Sequence, residues 1–142
     1  MVDTKRSLKI MIIEDEEDIL TLYNDYLSSQ GHQVINRYVS ADSIMNDIER
    51  DTPDVYLIDY RLPGNKNGID VAIEILNKYP SASIVFITAD EQLHRKISNN
   101  PVFFGKNTDV LLKPVRLDQI QRSVLDLSNK SKSSLNHSVQ LV

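Results

Sequence analysis

The sequence predicts an α/β protein whose core is a five-stranded parallel sheet with helices on both faces. Three observations predict it. Short apolar runs rich in Val and Ile recur along the chain, segments with helical apolar spacing separate them, and reactive polar residues follow the runs directly. Runs this short, bounded by polar residues, read as strands buried on both faces. Regular alternation of such strands with helices calls for parallel pairing through crossover connections.

The first strand is Ile10–Ile13. After it, Ile19, Leu20, Tyr23, Tyr26 and Leu27 share one face of a helix, and Gly31 stands where a C-terminal cap belongs. Val34–Ile35 is a weaker second strand. Ile44, Met45 and Ile48 predict a second helix with Ser40 as N-cap. Val55–Ile58 is the third strand, and Ile69, Ala72, Ile73 and Leu76 place a third helix that stops before Pro80. Ile84–Ile87 is the fourth strand, Glu91–Asn99 a fourth helix and Val110–Leu112 the fifth strand. Leu117, Ile120, Val124 and Leu127 mark a fifth helix. Residues 128–142, rich in Ser and Asn and without sustained periodicity, are expected to be mobile. The organisation is therefore an N-terminal extension at 1–7, one domain at 8–127 and a polar tail at 128–142.

A length of 142 residues fits one domain. With no cysteine, disulfide frameworks and Cys-based zinc sites are excluded. The opening MVDTKRSLK is basic but lacks the apolar stretch of a signal peptide, and no run approaches a membrane span. An intracellular, cytoplasmic protein with no membrane partner is expected. A formal net charge of −4, with scattered basic residues and no interleaved aromatics, argues against direct nucleic-acid binding.

In such sheets ligands bind beyond the carboxyl ends of the strands. There the stretch IMIIEDEEDIL runs four apolar residues into five acids. Glu16, Glu17 and Asp18 are explained by the helix they open, whose free N–H groups and dipole favour acids. For Glu14 and Asp15 helix capping alone is the lesser reading, because other reactive groups stand at the neighbouring strand ends. After the third strand comes Asp59, after the fourth Thr88 and after the fifth Lys113. Carboxylates about 4 Å apart repel by roughly 4 kcal/mol per pair at an effective dielectric near 20. Either their pKa values rise or a cation sits among them, and hard oxygen ligands completed by a phosphate suit Mg²⁺. Taken singly, Asp59 reads as a loop acid, Thr88 as a strand residue and Lys113 as a surface lysine. Their joint arrival at consecutive strand ends is the signal.

These residues carry a resemblance. From Leu8 to Leu127 the chain resembles the receiver domain of two-component response regulators. The matching features are Glu14–Asp15, Asp59 in LIDYRLPG, Thr88 followed by the small Ala89, and Lys113–Pro114. They stand in order, 44 residues from Asp15 to Asp59 and 29 from Asp59 to Thr88. The resemblance implies a doubly wound, flavodoxin-like sheet of order 2-1-3-4-5. It implies that Asp59 accepts a phosphoryl group from the phosphohistidine of a histidine kinase or phosphotransfer protein. Mg²⁺ would be held by Asp15, Asp59 and the backbone carbonyl of Arg61, with Glu14 acting directly or through water. Lys113 and Thr88 would serve phosphoryl oxygens, and Ala89 would leave the approach open. Arg61 and Asp90, two residues past Asp59 and Thr88, become candidates for setting the phosphoryl lifetime, and the Lys113–Pro114 bond is expected to be cis.

The sequence departs from the family pattern in three places. Glu14 stands where Asp is commoner, the loop Pro63–Gly68 is one residue longer, and Val110 replaces the usual aromatic three residues before the lysine. Val110 has no ring to rotate, so the familiar coupling of hydroxyl and ring is missing there. The segment after Asp90 is also long, and Phe103 and Phe104 within it read as core packing, with an altered output surface as the alternative. The expected function is that of a stand-alone receiver, a phosphoacceptor module rather than an enzyme, signalling to a separate downstream protein. The surface of the fourth helix, fifth strand and fifth helix is the family's usual contact region. A pseudo-receiver binding partners constitutively fits the complete acidic, Thr and Lys set less well. A haloacid-dehalogenase-like phosphatase would need an acid where Arg61 stands, and guanidinium cannot supply one at neutral pH.

Overall fold

The computed structural model describes residues 7–37 and 52–141. In chain order they form β1 (Lys9–Ile13), α1 (Glu17–Ser29), β2 (Gln33–Arg37), β3 (Val55–Asp59), α2 (Gly68–Lys78), β4 (Ser83–Thr88), α3 (Leu93–Ser98), β5 (Asn107–Leu112) and α4 (Leu117–Leu141). One turn of 3-10 helix, Pro101–Phe103, lies between α3 and β5. The helix expected around Ile44, Met45 and Ile48, with its cap at Ser40, falls outside the described residues.

All strand pairs are parallel, and the sheet order is β2-β1-β3-β4-β5. This is the doubly wound order that the resemblance implies. One face of the sheet (Ile10, Ile12, Val55, Leu57, Val85, Ile87) packs on Leu20, Tyr23 and Leu27 of α1 and on Ile120, Val124 and Leu127 of α4. The other face (Met11, Ile13, Tyr56, Ile58, Ile84, Phe86) packs on Val71, Ala72, Ile75 and Leu76 of α2 and on Leu93 and Ile97 of α3. The α2 stripe therefore sits one position round from the predicted one, because Ile69 and Ile73 are only half-buried at its margin.

β3 and β4 are buried along their whole length, as expected of central strands. β5 is not. It is an edge strand, half-buried from Asn107 to Leu111 and exposed at Leu112, which corrects the expectation of burial on both faces. It also begins three residues before its apolar run. Polar residues can start it because their side chains find partners: Asn107 Nδ2 donates to Ser83 Oγ and to Leu127 O, both at 2.7 Å, and Asp109 Oδ2 accepts from Ser123 Oγ at 2.6 Å.

Helix ends follow local chemistry. Past α1, Gly31 adopts φ +93°, the left-handed turn that lets the chain reverse into β2. α2 opens with a capping box in which Asn67 Oδ1 accepts from Asp70 N and Asp70 Oδ2 accepts from Asn67 N. α3 is shorter than the Glu91–Asn99 helix predicted, since Glu91 and Gln92 form a turn. α4 does not end at Leu127 but continues to Leu141; no Gly or Pro follows Pro114 to stop it, although the apolar periodicity fades. The Phe pair splits. Phe103 is buried edge-to-face against Phe86, with ring centres 6.1 Å apart, whereas Phe104 is exposed, so only the first is core packing.

Candidate functional site

Register brings the strand ends together. Ile13 pairs with Ile58, so Glu14 and Asp15 emerge beside Asp59. Asp59 pairs with Ile87, and Thr88 with Leu112, so Thr88 and Lys113 each lie one step beyond their neighbour. Backbone bonds lock this rim, with Tyr60 N donating to Ile87 O at 3.2 Å and Lys113 N to Thr88 O at 2.7 Å.

The carboxylates of Glu14, Asp15 and Asp59 each place an oxygen within 4.8 Å of the others. Two of them are nearly enclosed: Glu14 is 1% exposed and Asp59 is 8% exposed. Lys113 Nζ stands 3.7 Å from Asp59 Oδ1, a charge pair too long for a direct hydrogen bond. The Arg61 N–H approaches the same oxygen at 3.4 Å. Glu14 Oε2 accepts from Glu16 N at 3.0 Å, so one oxygen serves the chain turn into α1 while the residue also belongs to the cluster.

Electrostatics follow from this crowding. Burial, aided by the charge of Asp59, lifts the Glu14 carboxyl from 4.5 to about 7, although the Glu16 N–H and Lys113 pull it down. Burial also raises Asp59, against the opposing pull of Lys113 and the Arg61 N–H. The field reaches Tyr23 on α1, whose hydroxyl is pushed up to about 12 by burial and by the charges of Glu14, Asp59 and Glu16. The cluster therefore holds a proton near neutrality when no cation occupies it. Three hard carboxylate oxygens at this spacing fit a small divalent metal ion.

Thr88 Oγ1 accepts from Asp90 N at 2.9 Å, which leaves the hydroxyl proton free to donate. Ala89 and Arg61 are exposed and Asp90 is half-buried beside them. The Lys113–Pro114 bond is cis. Val110 pairs directly with Phe86 of β4 and packs half-buried against the cluster that also contains Phe103, so the ring next to this position comes from β4 and not from β5 itself. Every strand-end residue singled out in the sequence thus reaches one rim.

Sequence reasoning missed Gly68. A Cβ there would lie 2.8 Å from both Asp59 O and Tyr60 Cα, and Gly68 N donates to Tyr60 O at 2.7 Å. The first turn of α2 rests on the backbone that carries Asp59, and only a residue without a side chain permits this approach. Nothing in a glycine after an Asn cap announces that contact. Gly68→Ala is expected to lower stability by about 1–3 kcal/mol, the usual range for overpacking, in denaturant unfolding. An unchanged midpoint would refute the close approach.

A family model described as the response regulator receiver domain matches residues 10–125. The chain is 28% identical over 112 residues to protein-glutamate methylesterase/protein-glutamine glutaminase 2 of Paramagnetospirillum magneticum, covering 78% of this chain and 31% of that protein. It is 29% identical over 125 residues to regulatory protein LuxO of Vibrio cholerae, covering 88% of this chain and 26% of that one. The chain thus spans about a third or less of these curated relatives. Its fold superposes on response regulator protein TrrA of Thermotoga maritima in complex with Mg(2+)-BeF, with TM-score 0.71 and 21% identity over 84% of this chain and 97% of that one. The acidic rim, the strand order and the family match over most of its length agree: this chain belongs to the response regulator receiver domain family.

Proposed function

We propose that Asp59 accepts a phosphoryl group from the phosphohistidine of a sensor histidine kinase or a phosphotransfer protein in the cytoplasm, and that a separate protein reads the modified surface. The observation that carries this reading is the nearly buried Asp59 carboxylate facing Lys113 at 3.7 Å and two further acids at one sheet edge. A carboxylate oxygen of Asp59 bonds to phosphorus as the phosphorus–nitrogen bond breaks, its electron pair returning to the imidazole. Lys113 is a compact charge that offsets a phosphoryl oxygen, and the free hydroxyl proton of Thr88 serves another. Mg²⁺ would be held by Glu14, Asp15 and Asp59 with the Arg61 carbonyl, and would supply charge neutralisation between nucleophile and phosphoryl group. The Mg(2+)-BeF complex of TrrA supports that assignment by fold analogy.

In this reading the protein is an acceptor and interaction module and not a turnover enzyme. A net charge of −4 offers no footprint for direct nucleic-acid contact, and no helix among the described residues is long and apolar enough to cross a membrane. The test is intact mass after incubation with acetyl phosphate, with and without Mg²⁺, followed by fragmentation. One added phosphoryl mass, dependent on Mg²⁺ and confined to the peptide containing Asp59, is expected. A phosphoryl group located elsewhere, or none, would overturn the reading.

A further inference from the structure

Outside the acidic cluster, a second set of charged contacts joins the end of β3 to α3. Asp90 Oδ1 accepts from Gln92 N at 2.8 Å, and its Oδ2 receives Lys96 Nζ at 3.0 Å. Lys96 Nζ also lies 3.4 Å from the Tyr60 hydroxyl and 5.3 Å from the centre of its ring. Tyr60 directly follows Asp59, and Asp90 N donates to Thr88 Oγ1. The contacts therefore run from Asp59 through Tyr60, Lys96 and Asp90 back to Thr88, so both ends are residues of the site.

Lys96 does little for stability. Its side chain is 48% exposed, and exposed ion pairs contribute about 0.2–1 kcal/mol. What distinguishes it is the fixing of its ammonium by a carboxylate, a phenol and an aromatic face together. The consequence falls on Asp90. With Gln92 N on one oxygen and Lys96 on the other, both carboxylate oxygens of Asp90 already accept a hydrogen bond.

We propose that Lys96 is a positioning residue that lengthens the lifetime of the phosphoryl group on Asp59 by withholding the Asp90 carboxylate from the attacking water. This rests on Asp59 being the acceptor. In hydrolysis the water oxygen bonds to phosphorus, and the bond from phosphorus to the Asp59 oxygen breaks with its electron pair returning to the carboxylate. A water proton must leave as this happens. A freed Asp90 oxygen can accept that proton and pass it to solvent, which is ordinary general-base assistance. Held by Lys96, that oxygen is less basic and already accepts one hydrogen bond, so it takes the proton less readily.

The experiment forms the phosphoprotein with acetyl phosphate and Mg²⁺, removes the donor and follows loss of the phosphoryl mass. Lys96→Ala is expected to shorten the lifetime roughly two- to fivefold, the range a partly exposed ion pair can supply. Lys96→Arg keeps the charge and is expected to retain the native lifetime. In an Asp90→Asn background, Lys96→Ala adds nothing, because no carboxylate remains to be released. Tyr60 ring resonances shift in Lys96→Ala while the melting temperature stays within a degree or so of native, as befits an exposed pair. An unchanged lifetime, an equal acceleration in the Asp90→Asn background, or unmoved Tyr60 resonances would overturn the proposal. If no phosphoprotein forms on the native chain, the acceptor reading itself falls, an outcome visible before any decay is measured.

Discussion

Asp59→Asn is expected to abolish phosphoryl labelling completely while leaving the fold intact and more stable without metal. Asn is nearly isosteric, so packing at a position 8% exposed is kept. The amide is no nucleophile toward phosphorus, so no acyl phosphate forms and labelling falls to background. Stability moves the other way. Burial disfavours the charged form of Asp59, and Asp15 repels it, so removing the charge relieves both. Metal response supplies an independent check. On the native chain Mg²⁺ at ten times its dissociation constant is expected to stabilise by about 1.4 kcal/mol, by mass action. In Asp59→Asn one of the three carboxylates is lost, and the shift at the same concentration should shrink. Thermal melts with a Mg²⁺ titration and intact mass with acetyl phosphate read both arms. Labelling that persists in the variant would move the acceptor to another residue.

Without divalent metal the protein is expected to lose stability as pH rises from about 5 to 8, and Glu14→Gln should remove most of that slope. The Glu14 carboxyl is raised from 4.5 to about 7 by burial and by Asp59. Between those values the folded state holds a proton that the unfolded state has released. Stability from this group is therefore complete below 4.5 and is lost as pH climbs through about 7. The rise corresponds to on the order of 3 kcal/mol across the window. Gln keeps an oxygen for the Glu16 N–H but never ionises, so the variant should exceed the native chain in stability at pH 8 and match it near pH 5. Mg²⁺ should bind more tightly as pH rises, since it competes with that proton. Denaturant unfolding at several pH values in a chelator decides the matter: parallel native and Glu14→Gln profiles would show that Glu14 is ionised throughout.

The strand ends were legible because buried parallel strands are written as short, nearly continuous apolar runs rich in Val and Ile, and chemistry follows each run directly. Glu14, Asp15, Asp59, Thr88 and Lys113 needed only that rule and their order. β5 was legible only in part. An edge strand has one covered face, so its polar start at Asn107 and Asp109 depends on partners from β4 and α4 that lie far off in the chain. The fate of Phe103 and Phe104 was likewise open, because adjacent residues in an irregular turn have no periodicity to say which one meets Phe86.

By itself, then, the sequence determined the alternation of strands and helices, the sheet class and the residues that gather at its carboxyl edge. Those properties depend on local apolar spacing and on which residue follows each run. Only the tertiary structure decided that Gly68 must lack a side chain against Asp59, that Glu14 is enclosed enough to hold a proton near neutrality, and that Lys96 bridges Tyr60 to Asp90. Each of these is a distance or a dielectric environment created by segments that meet in folding, and no pattern along one segment encodes it.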